Sequence, residues 1–464
     1  MCREQFVIPR ILIGATASGG GKTTITCGIL KALKNRGKKV GAFKCGPDYI
    51  DPMFHSRVIG VPSRNLDLFF NDEDTIKYLL HKNTVKYNCD IAVIEGVMGY
   101  YDGVAGKTSI AGAYDLARAT DTPTVLIVDC KGKSLSVVAE IKGFLSYVED
   151  SKIKGVILNK ASASMYNLLA PIIEKQLKIK TFGFVPLMEN AAFESRHLGL
   201  VTANEIENIE EIIENIASQI EDTVDVDGLL KLADSAPAIS YTYEEIKGQC
   251  NKEEAVKIAV AMDNAFCFYY EDNLDLLEKL GCEIVPFSPL KSKSLPEEIG
   301  GIILGGGYPE LYLKELSFNK SLMAEIKMAI ESGIPLLAEC GGFMYLHQWI
   351  LDKQGNKYDM VGAINGGSYP LEKLGRFGYI DLSLNNDTSF LKKGEMLKGH
   401  EFHYWDSENP GNIAHAKKPL AKKNWECMIS YKGLFVGYPH INYYSNLNLP
   451  KGFVKKCREY METI

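Results

Sequence analysis

The chain has 464 residues, 52 Lys and Arg against 58 Asp and Glu, with 46% hydrophobic and 24% charged residues. This composition excludes disordered and fibrous chains and suffices for two or three domains, each with its own core. A net charge of −6 argues against a general nucleic-acid binder, whose phosphate contacts require a basic excess. With Met1-Cys2-Arg3-Glu4-Gln5 leading directly into an apolar strand, a secretory signal is not expected, and no stretch approaches the ~20 apolar residues that cross a bilayer. The 11 cysteines include no C-x-x-C spacing, so zinc knuckles and a disulfide framework are not expected and a cytoplasmic location is.

In chain order, residues 6–13, 39–43, 90–94, 124–128, 155–158 and 181–185 read as buried strands. Helical patterns such as 23–34 and 134–144 alternate with them, which predicts an α/β domain with a parallel sheet covered on both faces. An acidic helical pattern begins near 206, and periodicity fades over 221–256, so residues 1–220 are expected as one domain followed by a linker. A second alternation over 257–447 has strands at 257–262, 283–287, 301–304 and 335–338 with helices at 273–280 and 322–332. Its end, at 377–384, 401–404, 427–431 and 434–438, is antiparallel in character, and 448–464 read as a tail.

The first strand leads into Ser18-Gly19-Gly20-Gly21-Lys22-Thr23-Thr24 and then a helix. Glycines in this position turn successive backbone N–H groups around phosphate oxygens, and the helix N-terminus adds its positive end. Lys22 would reach the outer phosphates and the Thr23 hydroxyl a bridging magnesium. Thr16 occupies the place of the first glycine in the strict G-x-x-x-x-G-K-[ST] pattern, so this is a relaxed form. Glu95 stands at the tip of a buried strand as a candidate magnesium ligand. Either Asp48 or Asp51, just past another strand, is a candidate second ligand, with turn capping as the alternative. Lys44 would neutralise phosphate, and Asn159, ending a further strand, would read an adenine edge.

The second half carries Ala338-Glu339-Cys340-Gly341-Gly342 between a buried strand and a helix. A nucleophile on so tight a turn stands clear of the sheet, and a helix N-terminus favours thiolate over thiol. Gly306, Gly307 and Gly341 offer backbone N–H groups for an oxyanion. His440 is the candidate base, with His400 and His403 as rivals.

These blocks, together with Lys44-Cys45-Gly46-Pro47-Asp48-Tyr49-Ile50-Asp51-Pro52, Ser63-Arg64-Asn65-Leu66-Asp67, Glu95-Gly96-Val97-Met98-Gly99, Ser195-Arg196-His197-Leu198, Leu304-Gly305-Gly306-Gly307-Tyr308-Pro309-Glu310 and Gly399-His400-Glu401-Phe402-His403, resemble the cobyrinic acid a,c-diamide synthase family over residues 10–447. The resemblance implies a P-loop domain similar to dethiobiotin synthetase and a C-terminal class I-like glutamine amidotransferase domain. It implies ATP with Mg²⁺ as cofactors, L-glutamine as nitrogen donor, and amidation of the a and c acetates of a corrinoid. Cys340 would attack glutamine with His440 as base, Thr23, Asp48 and Glu95 would hold magnesium, and Asn159 would contact adenine. Class I enzymes place Glu two residues after the catalytic His, and this family typically a second His. Asn442 stands there in this chain, which leaves open what orients His440. Tyr49, Arg64, Arg196 and His197 are expected to meet the carboxylates and ring of a tetrapyrrole. Nickel sirohydrochlorin and hydrogenobyrinic acid are alternative substrates, because nothing in the sequence separates ring metals. A P-loop binding protein with an inert amidotransferase-like domain is the rival of a different class. Neither nucleic acid nor membrane is expected as a partner, and a homodimer stays open.

Overall fold

A computed structural model describes residues 2–188, 195–196, 199–200, 208–244 and 255–463. Two compact units divide it, Met1–Glu244 and Glu245–Ile464. Among the described residues no helix is long and apolar enough to cross a membrane.

The first unit is built on seven parallel strands: β1 (Arg10–Ala15), β2 (Val40–Cys45), β3 (Ser63–Leu66), β4 (Ile91–Glu95), β5 (Thr124–Asp129), β6 (Ile153–Asn159) and β7 (Lys180–Val185). Their order is β3-β2-β4-β1-β5-β6-β7. Strands β1, β2 and β4 are buried along their whole length, as covered parallel strands must be. Helix α1 (Lys22–Asn35) follows β1 and packs against α2 (Ile209–Thr223). Gly28 allows the close approach, because a Cβ there would fall 2.6 Å from the Ile216 side chain.

Two expectations need correction here. The strand expected at 6–13 breaks at Pro9, which cannot donate a ladder hydrogen bond. Its first part, Cys2–Phe6, instead pairs antiparallel with Ile239–Tyr243. The expected linker over 221–256 therefore holds structure: α2 runs to Thr223, a helix spans Val226–Asp234, and then comes this strand. The edge strand β3 was read only as a short motif.

The second unit has five parallel strands, β8 (Val256–Ala261), β9 (Cys282–Phe287), β10 (Ile299–Leu304), β11 (Leu336–Glu339) and β12 (Leu434–Gly437), in the order β9-β8-β10-β11-β12. β12 was expected in the antiparallel part and instead runs parallel to β11. Beyond β12 the chain passes into a five-stranded antiparallel sheet, where His440–Ile441 pairs with Met396–His403. The expected tail is a helix, Asn448–Met461, whose Phe453 and Cys457 press on Gly300 and Gly301 of β10. Its apolar residues at 449, 453, 454 and 457 form the buried face.

Candidate functional sites, one in each unit

In the first unit the loop after β1 rises to an exposed crest at Ser18 and Gly19 and descends into α1 at Gly21. Gly19 and Gly21 have φ of 73° and 84°, the left-handed region that glycine enters freely. A Cβ on Gly21 would fall 2.2 Å from the Asn159 amide nitrogen. That amide donates to the Gly20 carbonyl at 2.8 Å, so Asn159 braces the loop from behind. Lys22 is buried and donates to the Met98 carbonyl at 2.8 Å. Burial and the neighbouring Lys44 bring its pKa down to about 8.

The register of the sheet explains the charge cluster beside this loop, because Lys44 on β2 lies directly opposite Glu95 on β4. Lys44 Nζ is 3.0 Å from Glu95 Oε1, donates to Asp51, and lies 3.9 Å from Asp48. The Thr23 hydroxyl donates to Glu95 Oε1 at 2.7 Å. His55, fully buried, reaches Glu95 Oε2 with Nε2 and Ser63 Oγ with Nδ1, both at 3.1 Å. Burial opposes charge on Lys44, yet Asp51, Glu95 and Asp48 outweigh it and hold the ammonium well above its usual range. Glu95 is held well below the carboxylate range, since Lys44 and His55 outweigh its burial. Asp51 goes the other way, raised by burial and by the charges of Asp48 and Glu95. Three carboxylates thus crowd around Lys44 and gather oxygen donors beside the loop.

These oxygen donors fit magnesium, which takes one or two carboxylates and completes its shell with water and substrate phosphates. Among the described residues no group of three or more His, Cys, Asp and Glu could by itself hold a metal ion.

In the second unit, β10 leads into Gly305–Gly307, and β11 ends in Glu339, followed by Cys340 with φ 46° and ψ −103°. That backbone is strained for a residue with a side chain, and such strain collects at functional turns. Gly342 must lack a Cβ, which would fall 2.1 Å from the Leu304 carbonyl oxygen. A Cβ on Gly341 would stand 3.2 Å from the Gly307 nitrogen, so the two glycines adjoin beside the thiol. Cys340 N–H donates to the Gly437 carbonyl at 2.8 Å, tying the elbow to the end of β12, three residues before His440. His440 is 2% exposed, with Glu339 Oε2 at 3.4 Å from Nδ1. A Cβ on Gly306 would lie 2.4 Å from His440 Cε1, so the imidazole rests on this glycine.

Profiles of two families match the chain. Residues 11–201 match the CobQ/CobB/MinD/ParA nucleotide binding domain, and residues 257–446 the CobB/CobQ-like glutamine amidotransferase domain. A Caldanaerobacter subterraneus subsp. tengcongensis protein named cobyrinate a,c-diamide synthase is 40% identical over 99% of this chain and 99% of its own. The chain belongs to the cobyrinate a,c-diamide synthase family. Relatives of the same name from Clostridium acetobutylicum and Thermoplasma volcanium are 41% and 38% identical, over 96% and 98% of this chain and 99% and 98% of theirs. As a member of this family the chain is a glutamine-dependent ligase with a P-loop nucleotide-binding domain and an α/β amidotransferase domain.

Against this family background, the structure revises several expectations about single residues. The Cys340 thiol is pushed up, not down: burial dominates, and Glu310 and Glu401 add to it, over the Gly341 N–H that favours thiolate. Asn442 does not turn to His440; its side chain accepts the Tyr444 N–H at 3.1 Å and caps the turn Tyr443–Ser445. His403 is built into a buried network with Glu401 Oε2 at 3.2 Å and the Trp405 carbonyl at 2.6 Å. His400 lies opposite His440 on the neighbouring strand, its pKa lowered to about 3 by burial and by His440. Arg64 is buried, donates from one nitrogen to the Tyr87 hydroxyl and lies over that ring. Tyr49 is 9% exposed at the start of a short helix. Arg196 lies on a two-residue strand, Ser195–Arg196, but its side chain, like all of His197, is outside the described residues.

His55, Asn65 and Glu339 escaped the sequence. Asn65 donates to the Gly46 and Asp48 carbonyls at 2.9 and 2.7 Å and fixes the loop that carries Asp48.

Proposed function

We propose that the chain amidates the a and c acetate carboxylates of cobyrinic acid, consuming ATP and glutamine in two successive rounds. What supports this reading is the relatives' shared name at about 40% identity over nearly the whole chain, joined to a strained Cys340 elbow tied to Gly437, three residues before His440, and a glycine-rich loop leading into Lys22.

In the amidotransferase unit His440 takes the Cys340 proton and the sulfur attacks the side-chain amide carbon of glutamine. The N–H groups of Gly307 and Gly341 face the developing oxyanion, ammonia leaves with the proton, and water later hydrolyses the thioester. A thiol held neutral by burial needs this proton transfer to be coupled to substrate binding.

In the first unit a carboxylate at neutral pH is a poor electrophile, so its oxygen takes the terminal phosphoryl group of ATP as ADP leaves, and ammonia then displaces phosphate from the acyl phosphate. Gly19, Gly20, Gly21, Ser18 and Thr24 shape the cradle, Lys22 and Lys44 neutralise phosphate oxygens, and Asn159 braces the loop and borders the base. Thr23, Glu95 and Asp48 would hold magnesium, which supplies charge neutralisation across the phosphates. Tyr49 and Arg196 border the tetrapyrrole.

The test is parallel incubation with ATP, Mg²⁺, glutamine and either cobyrinic acid, nickel sirohydrochlorin or hydrogenobyrinic acid, read by mass spectrometry. Two successive amidations of cobyrinic acid, fastest of the three, are expected. A preference of tenfold or more for either other ring would reassign the substrate.

A further inference from the structure

We infer that Glu339, the residue immediately before the nucleophile, is the positioning residue of His440. The inference rests on the reading of Cys340 and His440 as nucleophile and base. Each oxygen of the Glu339 carboxylate faces the histidine segment. Oε2 lies 3.4 Å from His440 Nδ1, and Oε1 accepts the Ile441 N–H at 3.2 Å. The second contact fixes the carboxylate against the backbone that carries the ring. Asn273 fixes the same segment from its other side, donating to the Ile441 carbonyl at 2.8 Å and accepting the Tyr443 N–H at 2.9 Å.

The ring itself has little freedom. Gly306 closes one side, and Phe268 approaches edge-on with centroids 6.5 Å apart. With Glu339 Oε2 facing Nδ1 at 3.4 Å, the carboxylate favours the tautomer protonated on that nitrogen and so directs the other ring nitrogen to the thiol proton. The acid also stabilises the imidazolium formed when sulfur bonds to the amide carbon, until that proton passes to the departing ammonia. Separations of this length in a substrate-free site commonly tighten when substrate binds. β11 and β12 pair with Glu339 opposite Gly437, so one strand end delivers both nucleophile and orienting acid. The position two residues beyond His440 is thereby released, and Asn442 serves as a turn cap instead.

Glu339→Gln keeps the shape and the Ile441 contact but removes the charge facing the ring. We expect kcat for glutamine hydrolysis to fall about 10- to 100-fold with KM for glutamine within about twofold, as for a misoriented base. Asn442→Ala should stay within about threefold of the unchanged enzyme. In Glu339→Ala, sodium formate but not chloride should restore at least part of the lost rate by filling the vacated carboxylate position. The inference is overturned if Glu339→Gln retains more than a third of kcat, if the loss falls on KM alone, or if formate restores nothing. Cys340→Ala separates the two levels. Persisting glutaminase in that variant would remove the parent reading, whereas its loss beside an unaffected Glu339→Gln would remove only the role of Glu339.

Discussion

Gly306→Ala tests the packing of the base. The added methyl carbon would sit 2.4 Å from His440 Cε1 and 3.3 Å from Nδ1. Carbon atoms in contact settle at about 3.5–4.0 Å, so the ring must withdraw by roughly 1 Å. Withdrawal moves Nδ1 out of its place 3.4 Å from Glu339 Oε2. A displacement of about 1 Å in a reacting group costs on the order of 100-fold in rate. Overpacking of this kind destabilises by roughly 1–3 kcal/mol, well inside the ~5–15 kcal/mol that keeps a domain folded. The measurement is glutamate release at saturating glutamine, with a thermal melt on the same sample. We expect about a 100-fold lower kcat and a melting temperature lowered by a few degrees. A variant that melts normally and keeps more than a third of its glutaminase rate would refute the placement of His440 over Gly306.

Lys22→Ala should abolish amidation with either glutamine or ammonium as nitrogen source while glutamate release continues; ammonium-supported synthesis surviving in the variant would remove Lys22 from phosphate binding. His55→Ala strips two buried partners at once, Glu95 and Ser63. Leaving buried polar groups unpaired costs roughly 1–3 kcal/mol each, so a melting temperature several degrees lower and a loss of ATP-dependent synthesis are expected. An unchanged melt would deny His55 its bridging part. His347 is buried between the Phe343 carbonyl at 2.8 Å and Ser407 Oγ at 2.7 Å, and burial lowers its pKa to about 4. The unfolded chain binds this proton near pH 6.5 and the folded one only near 4, so stability is full above about pH 6.5 and falls as pH drops through that window, by up to ~3 kcal/mol. Thermal melts between pH 7 and 4 should show this fall, reduced in His347→Gln; identical pH dependence in the variant would contradict it.

The sequence made most of the architecture legible where a signal is local. Glycines before Lys22 and after Cys340 mark turns that only a missing Cβ permits, and alternating apolar runs mark covered parallel strands. Signals that depend on distant partners were not legible. Nothing near Ile239–Tyr243 announces that its partner is Cys2–Phe6, and a short strand like Leu434–Gly437 reads alike in a parallel or an antiparallel sheet. His55 sits in an apolar stretch whose neighbours give no hint of Glu95, 40 positions away. Glu339 was hidden by custom: the orienting acid is sought just after the histidine, whereas here it comes from a strand 101 positions earlier. The thiol was misjudged because a six-residue helix end was weighed without the burial and carboxylates around it.

The division of labour between two reaction centres is tested most directly by Cys340→Ala, assayed for ATP-dependent amidation of cobyrinic acid with glutamine and, separately, with ammonium chloride. Glutamine-dependent turnover should vanish while the ammonium-dependent reaction continues at a rate close to that of the unchanged enzyme. Loss of both with the fold intact, or retention of the glutamine-dependent reaction, would contradict it.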